Sequence, residues 1–181
     1  MIPAVETTLT IVRRWLPLCR ALMRRSRAGP EEIQLARELR SLREAIVRAI
    51  GPSTSCAGCG WGHPTPHGRW DGGFCCGGFT EELFGEHELA ALRLSGTRPW
   101  HLIPRGPSPG CIFRGPRGCG LAPRHRPSIC VGYLCLELQR ELMARGALDH
   151  VERLCGALRG SFETFVDLRR RRLDKEWAKE L

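Results

Sequence analysis

A mainly α-helical fold, with a helical hairpin and C-terminal helices packed around metal-stapled, cysteine-rich loops, follows from three features of this sequence. Apolar residues recur at helical spacing near both ends of the chain. Gly, Pro, Arg, His and Cys dominate residues 51–78 and 96–127 instead. Eight of the ten cysteines lie between Cys56 and Cys135. Loops of that composition bury too little apolar surface to offset their ordering entropy, so they need a cross-link. Three segments result: residues 1–50 as a helical hairpin, 51–145 as a cysteine-cluster, metal-chelating domain, and 146–181 as a basic C-terminal helix.

Residues 4–27 read as the first helix, with Leu9, Val12, Leu16, Cys19 and Met23 on one face and a kink at Pro17. Gly29-Pro30 breaks the chain, and Pro30 with Glu31 and Glu32 suits the first turn of a second helix. Ile33, Ala36, Leu39, Leu42, Ile46 and Ile50 mark its buried face, and Gly51-Pro52 ends it. Thr80 is the expected N-cap of a third helix running to Leu94. A fourth is expected over Ser128–Ala144, closed by Gly146. The last starts near Leu148, with Val151, Leu154, Leu158, Phe162 and Phe165 on one face, followed by Arg169–Arg172, Leu173, Trp177 and Leu181.

The composition is that of a folded chain: 42% hydrophobic residues and a net charge of +9. No run of about 18 apolar residues is present, which argues against a membrane partner. Arg13-Arg14 interrupt the one apolar run near the start, so no secretory leader is read and a cytoplasmic location is expected. Cytoplasmic thiols stay reduced, which favours metal ligation over disulfides or a redox relay. Between Leu89 and Leu136 there is no Asp or Glu, yet seven arginines: Arg93, Arg98, Arg105, Arg114, Arg117, Arg124 and Arg126. Two readings compete for them. Arginine interleaved with aromatic residues suits nucleic acid. Arginine beside metal-bound thiolates neutralises charge and donates hydrogen bonds to sulfur, and this reading is favoured.

Cys56-Ala-Gly-Cys59 is a knuckle whose spacing lets both sulfurs face one metal, with Gly58 and Gly60 easing the turn. Cys75-Cys76 is an adjacent pair, which in an extended chain projects to opposite faces. Cys130 and Cys135 straddle an expected loop-to-helix junction, where a helix N-terminus favours thiolate. Cys19 and Cys155 sit on apolar helical faces and read as core thiols. His63 and His67 lie among the cysteines as lesser ligand candidates, while His125 reads as a surface or supporting group and His87, His101 and His150 lack catalytic company. Trp61, Trp70, Phe74, Phe79, Phe113 and Tyr133 flank the cysteines and read as an apolar shell for a metal centre.

Cys111-Ile-Phe113, Gly118-Cys119, Arg126-Pro127-Ser-Ile-Cys130 and Tyr133-Leu-Cys135 together resemble the cysteine cluster of the YkgJ family, a zinc- or iron-chelating domain. In that pattern a CxxC and a CC pair precede C-P-F, G-x-C, R-P-x-x-C and a final aromatic-x-C. The resemblance covers about 80 residues and is most specific in its second half. It implies a ligand set of Cys56, Cys59, Cys75, Cys76, Cys111, Cys119, Cys130 and Cys135. The chain departs from the pattern at Val131 and Leu134, and by the fifteen residues between Cys59 and Cys75.

Two four-thiolate zinc sites would use all eight sulfurs, but zinc modules usually carry several CxxC knuckles and this chain has one. The irregular spacing suits an iron–sulfur cluster, which is slightly favoured over zinc. Arg126 is the arginine expected to serve the cofactor, by bonding cluster sulfur or by fixing the loop before Pro127. The expected function is metal binding in a structural or electron-transfer role, with an unidentified protein or redox partner. An oxygen-sensitive metal-dependent protein-modifying enzyme and an arginine/aromatic nucleic-acid module remain as alternatives. No phosphate-binding loop, dinucleotide fingerprint or nucleophile–His–acid arrangement is present.

Overall fold

Pro30 at the first helical position, with Glu31 and Glu32 in the first turn, starts the helix on which much of the chain packs. The structure is a computed structural model that describes residues 8–24, 27–55, 83–105, 111–115 and 118–178. Its helices are α1 (Thr8–Met23), α2 (Pro30–Ile50), α3 (Glu86–Leu94), α4 (Ser128–Gly132), α5 (Leu136–Ala144) and α6 (Leu148–Trp177). Two short 3₁₀ turns, Pro99–His101 and Pro123–His125, and a two-stranded hairpin complete them. β1 (Arg114–Gly115) pairs antiparallel with β2 (Gly118–Cys119), in the register Arg114↔Cys119.

α2 and α6 form the most extensive helix pair. Three contacts fix their relative sense. Glu32 accepts from Arg172, Glu38 accepts from Ser161 at 2.6 Å, and the Ile50 carbonyl accepts from Arg145, just ahead of α6, at 2.9 Å. Numbers rise on one helix as they fall on the other, so the pair is antiparallel. Between them Ala36, Leu39, Ile46, Val151, Leu158 and Phe165 are buried in the larger of two apolar clusters. That cluster also takes Ala90 and Ala91 from α3, Val131 from α4, and Leu138 and Leu142 from α5. It therefore joins residues from all three segments expected from the sequence.

The predicted N-terminal hairpin is replaced by two separate packings. The main contacts of α1 are with α3 and the Pro99–His101 turn, while those of α2 are with α6 and α3. The buried face of α1 also differs from the expected one. Arg14, Leu18, Cys19 and Leu22 are buried, whereas Leu9 and Met23 are 72% and 64% exposed. Leu18 and Leu22 join the smaller cluster, with Phe84, Leu89, Leu92, Leu102, Ile112 and Phe113. Trp15 secures this packing by donating its indole N–H to the Leu102 carbonyl. Both stripes of α1 are apolar, and the partner decides which is used. Pro17 lies inside the helix without ending it.

The single helix expected over Ser128–Ala144 is two helices. α4 closes with Tyr133 N–H donating to the Ile129 carbonyl at 3.1 Å. Gly132 is a weak helix former, and Tyr133 and Cys135 are extended. Gln139 donates back to the Leu134 carbonyl at 2.8 Å, satisfying a carbonyl in the break. In the third helix α3 begins after Gly85, and Thr80–Glu82 lie outside the described residues. Gly51 (φ 64°) and Gly146 (φ 65°) end α2 and the α5 segment in the left-handed conformation that glycine tolerates.

Leu39→Ala should lower stability by about 2–5 kcal/mol and Phe165→Ala by about 3–5 kcal/mol in urea denaturation. Met23→Ser, on the exposed stripe of α1, should change it by no more than about 0.5 kcal/mol. A large loss in the third variant would contradict the assigned buried face.

Candidate functional site

Four of the eight predicted ligands, Cys56, Cys59, Cys75 and Cys76, lie outside the described residues, as do His63, His67, Trp61, Trp70, Phe74 and Phe79. The other four are placed. Cys111 is buried in the smaller cluster, and half-buried Cys119 packs against the same cluster. Cys130 is half-buried in α4, and Cys135 is buried in the larger cluster at the N-cap of α5. Among the described residues, no three His, Cys, Asp or Glu side chains form a metal-binding group.

Two polar clamps hold the segments that carry these cysteines. Arg126 donates through Nε to the Leu121 carbonyl at 2.9 Å and through Nη2 to the Cys119 carbonyl at 3.4 Å. It thereby ties the end of the β-hairpin to the residues leading into α4. These bonds correspond to the loop-fixing alternative for Arg126, since both acceptors are backbone oxygens. The second clamp is Glu141 on α5. Its carboxylate accepts from Ser55 Oγ at 2.7 Å, Ser55 N at 3.1 Å, Ser53 Oγ at 3.0 Å and Thr54 N at 3.3 Å. The Ser55 hydroxyl bond, with the other donors, holds the carboxyl down at about 2. Six residues of helix, roughly 9 Å of rise, separate Glu141 from Cys135. The chain is therefore anchored beside α5 immediately before Cys56.

The strongest electrostatic feature is one the sequence reading missed. Arg43 of α2 is fully buried and donates to the carboxylate of Glu88, itself 7% exposed, and to Ser128 Oγ at 3.0 Å. Ser128 in turn donates to Glu88 at 3.2 Å. Burial pushes the Arg43 guanidinium below its ordinary value, against the opposing pull of Glu88 and of Cys130. Burial likewise pushes Glu88 up, against Arg43 and Ser128. Arg43 Nε and Nη1 are buried without a hydrogen-bond partner among the described residues. A signal existed for the arginine: Arg43 falls on the stripe of Leu39 and Ile46, and Glu88 immediately precedes the apolar run 89–92.

A pocket of about 570 Å³ lies beside this network, bounded by α3, α4 and α6 and lined in part by His87, Glu88, Ser128, Ile129, Leu158 and Phe162. Burial pushes His87 below its ordinary value. Cys155 also borders the pocket, and burial pushes its thiol up, as it does that of Cys19. Both thiols are buried on apolar helical faces, as expected for core residues.

His125, expected as a surface or supporting group, is buried, and it meets His101, which had no predicted company. His101 and His125 stack with centroids 4.2 Å apart and planes 11° apart. Arg124 Nε donates to His125 Nε2 at 3.3 Å, so in the neutral ring Nδ1 carries the proton and donates to Thr97 Oγ1 at 2.9 Å. Burial, then His101, Arg124 and Arg40, depress His125 from 6.5 to about 4.

No family model matches this chain, and comparison with curated proteins and with solved structures finds no match. No described helix is long and apolar enough to cross a membrane.

Glu88→Ala should cost about 3–5 kcal/mol in urea denaturation, because it leaves Arg43 buried with its charge uncompensated. Replacing Arg43 and Glu88 together by methionine should recover most of that loss; an equal loss in the double variant would refute charge burial as the cause. His125 sets a pH dependence. Between pH 6.5 and about 4 the unfolded chain binds a proton at this site that the folded chain refuses. Its stability contribution is thus present above pH 6.5 and is lost as pH falls toward about 4. Thermal melts across that range should show a shallower decline for His125→Gln than for the wild type, and parallel curves would contradict the assignment.

Proposed function

We propose that this chain binds a metal centre through its cysteine cluster, in a structural or electron-transfer role, and that it is a distant member of the YkgJ-type family it resembles. The observation that carries the reading is the burial of Arg43 close to Cys130, with two of its guanidinium nitrogens, Nε and Nη1, lacking a partner among the described residues. Glu88 and Ser128 already answer one nitrogen of the guanidinium, but the buried Nε and Nη1 donors are costly without acceptors. Metal-bound thiolates would supply sulfur acceptors for them. The clamps at Arg126 and Glu141 give the reading further support, since they anchor the chain at Cys119 and immediately before Cys56.

Cys56, Cys59, Cys75, Cys76, Cys111, Cys119, Cys130 and Cys135 would hold the metal. With iron and sulfide the centre would supply one-electron transfer; with zinc it would staple the loops. Arg43 would donate its spare N–H groups to thiolate sulfur while Glu88 balances its charge, and Arg126 would position the loop rather than touch the metal. A metal-dependent enzyme is the second reading, favoured by the pocket beside Glu88 and Ser128, which is large enough for a small substrate.

Protein purified without oxygen or chelator should contain bound iron with acid-labile sulfide, or bound zinc. Cys119→Ser and Cys130→Ser should each lose most of that metal and melt at lower temperature. Cys155→Ser should keep its metal. Wild-type protein free of metal, or full metal content in both ligand variants, would overturn the proposal.

A further inference from the structure

The His101–His125 stack belongs to a surface that the metal reading does not use. Trp100 stands edge-on to His101, with ring centroids 5.8 Å apart and planes 63° apart. Its indole is 66% exposed. His101 is held in place by the Arg98 backbone N–H, which donates to Nδ1 at 3.0 Å, and one of its faces is covered by His125. The indole is therefore an exposed apolar surface braced by His101, which is itself stacked on His125.

Arginines surround the two stacked imidazoles behind the indole. Arg98, Arg124 and Arg40 are the charges that act on His101, and Arg124 and Arg40 act on His125 as well. Arg98 donates to the Arg93 carbonyl at 3.3 Å, and Arg93 donates to the Arg24 carbonyl, so the cationic side chains continue as a band toward the end of α1. Glu44 pairs with Arg124 at 3.5 Å and with Arg40 at 4.0 Å. The chain from Leu89 to Leu136 contributes no carboxylate at all. Arg124 and Arg40 keep 45% and 41% of their side-chain surface exposed despite the Glu44 contacts.

We propose that Trp100, braced by the His101–His125 stack and flanked by Arg98, Arg124 and Arg40, is a binding surface for single-stranded nucleic acid. One base stacks on the indole, and the backbone phosphates lie along the arginines. The chemistry selects this partner over an acidic peptide. Carboxylate side chains would satisfy the arginines but leave the braced indole unused, whereas a nucleotide strand offers a flat base and a phosphate at regular intervals. Burial and the neighbouring arginines hold both imidazoles below their ordinary values, so near neutral pH the rings stack uncharged and the arginines supply the positive field. The surface draws on no cysteine, so it stands or falls separately from the metal centre.

The test is fluorescence anisotropy of a short, mixed-sequence, labelled single-stranded oligonucleotide with the full chain. Binding is expected at low salt and should weaken by about tenfold or more on raising salt to roughly 200 mM. Trp100→Ala should weaken it by about tenfold or more, with an unchanged circular dichroism spectrum, because the side chain is exposed and supports no core contact. Arg98→Gln should reduce the salt slope by about one. Absence of binding at low salt would overturn the proposal. So would equal affinity of Trp100→Ala and wild type, or equally tight binding of polyglutamate that ignores Trp100→Ala.

Discussion

α2 cannot bury its leucines without also burying an arginine. Arg43 lies four residues after Leu39 and three before Ile46, on the stripe that faces α3, α4 and α6. Packing that stripe commits a guanidinium to the interior, where an uncompensated charge is strongly unfavourable. Glu88 and Ser128 answer it from α3 and α4, so the relative placement of three helices depends on one buried polar contact. Cys130 lies two residues after Ser128 on α4, and its position near Arg43 follows from the same contact.

Two apolar clusters meet around this network. The larger is built on the antiparallel pair α2 and α6, and the smaller on α1, α3 and the β-hairpin region. Cysteines of the proposed centre come from both: Cys111 from the smaller cluster and Cys135 from the larger. Segments with little apolar surface link the helices, and side-chain bonds to backbone atoms hold them. Arg126 does this for Cys119 and Leu121, and Glu141 for Thr54 and Ser55. A metal would add a constraint to ends that are already anchored, which lowers the entropy its binding must overcome.

The arginines divide into distinct roles rather than acting as one neutralising field. Arg43 and Arg126 are used inside the fold, one against a carboxylate and the other against carbonyls. Arg169 and Arg172 of the C-terminal basic run pair with Glu86 and Glu32, so part of that run fastens α6 to α3 and α2. Arg98, Arg124 and Arg40 remain at the surface around His101. A net charge of +9 is thus compatible with both a thiolate centre and a polyanion surface on the same chain.

Local signals determined the helices and some of their ends. Pro30 with two glutamates, Gly51 and the apolar spacing from Val151 to Phe165 act within a few residues, so α2 and most of α6 were readable directly. The cysteine spacing likewise marked the ligand candidates without any structure. Tertiary contacts decided the rest. α1 carries two apolar stripes, and only the partner surface of Phe84, Leu92 and Leu102 selects between them. The break at Gly132 is stabilised by a bond from Gln139, seven residues further on. Arg43 meets Glu88 across 45 residues of sequence, and Thr97 meets His125 across 28. Periodicity reports which side chains share a face, whereas the environment of a buried charge or ring depends on groups distant in sequence that only folding brings within hydrogen-bond or stacking range.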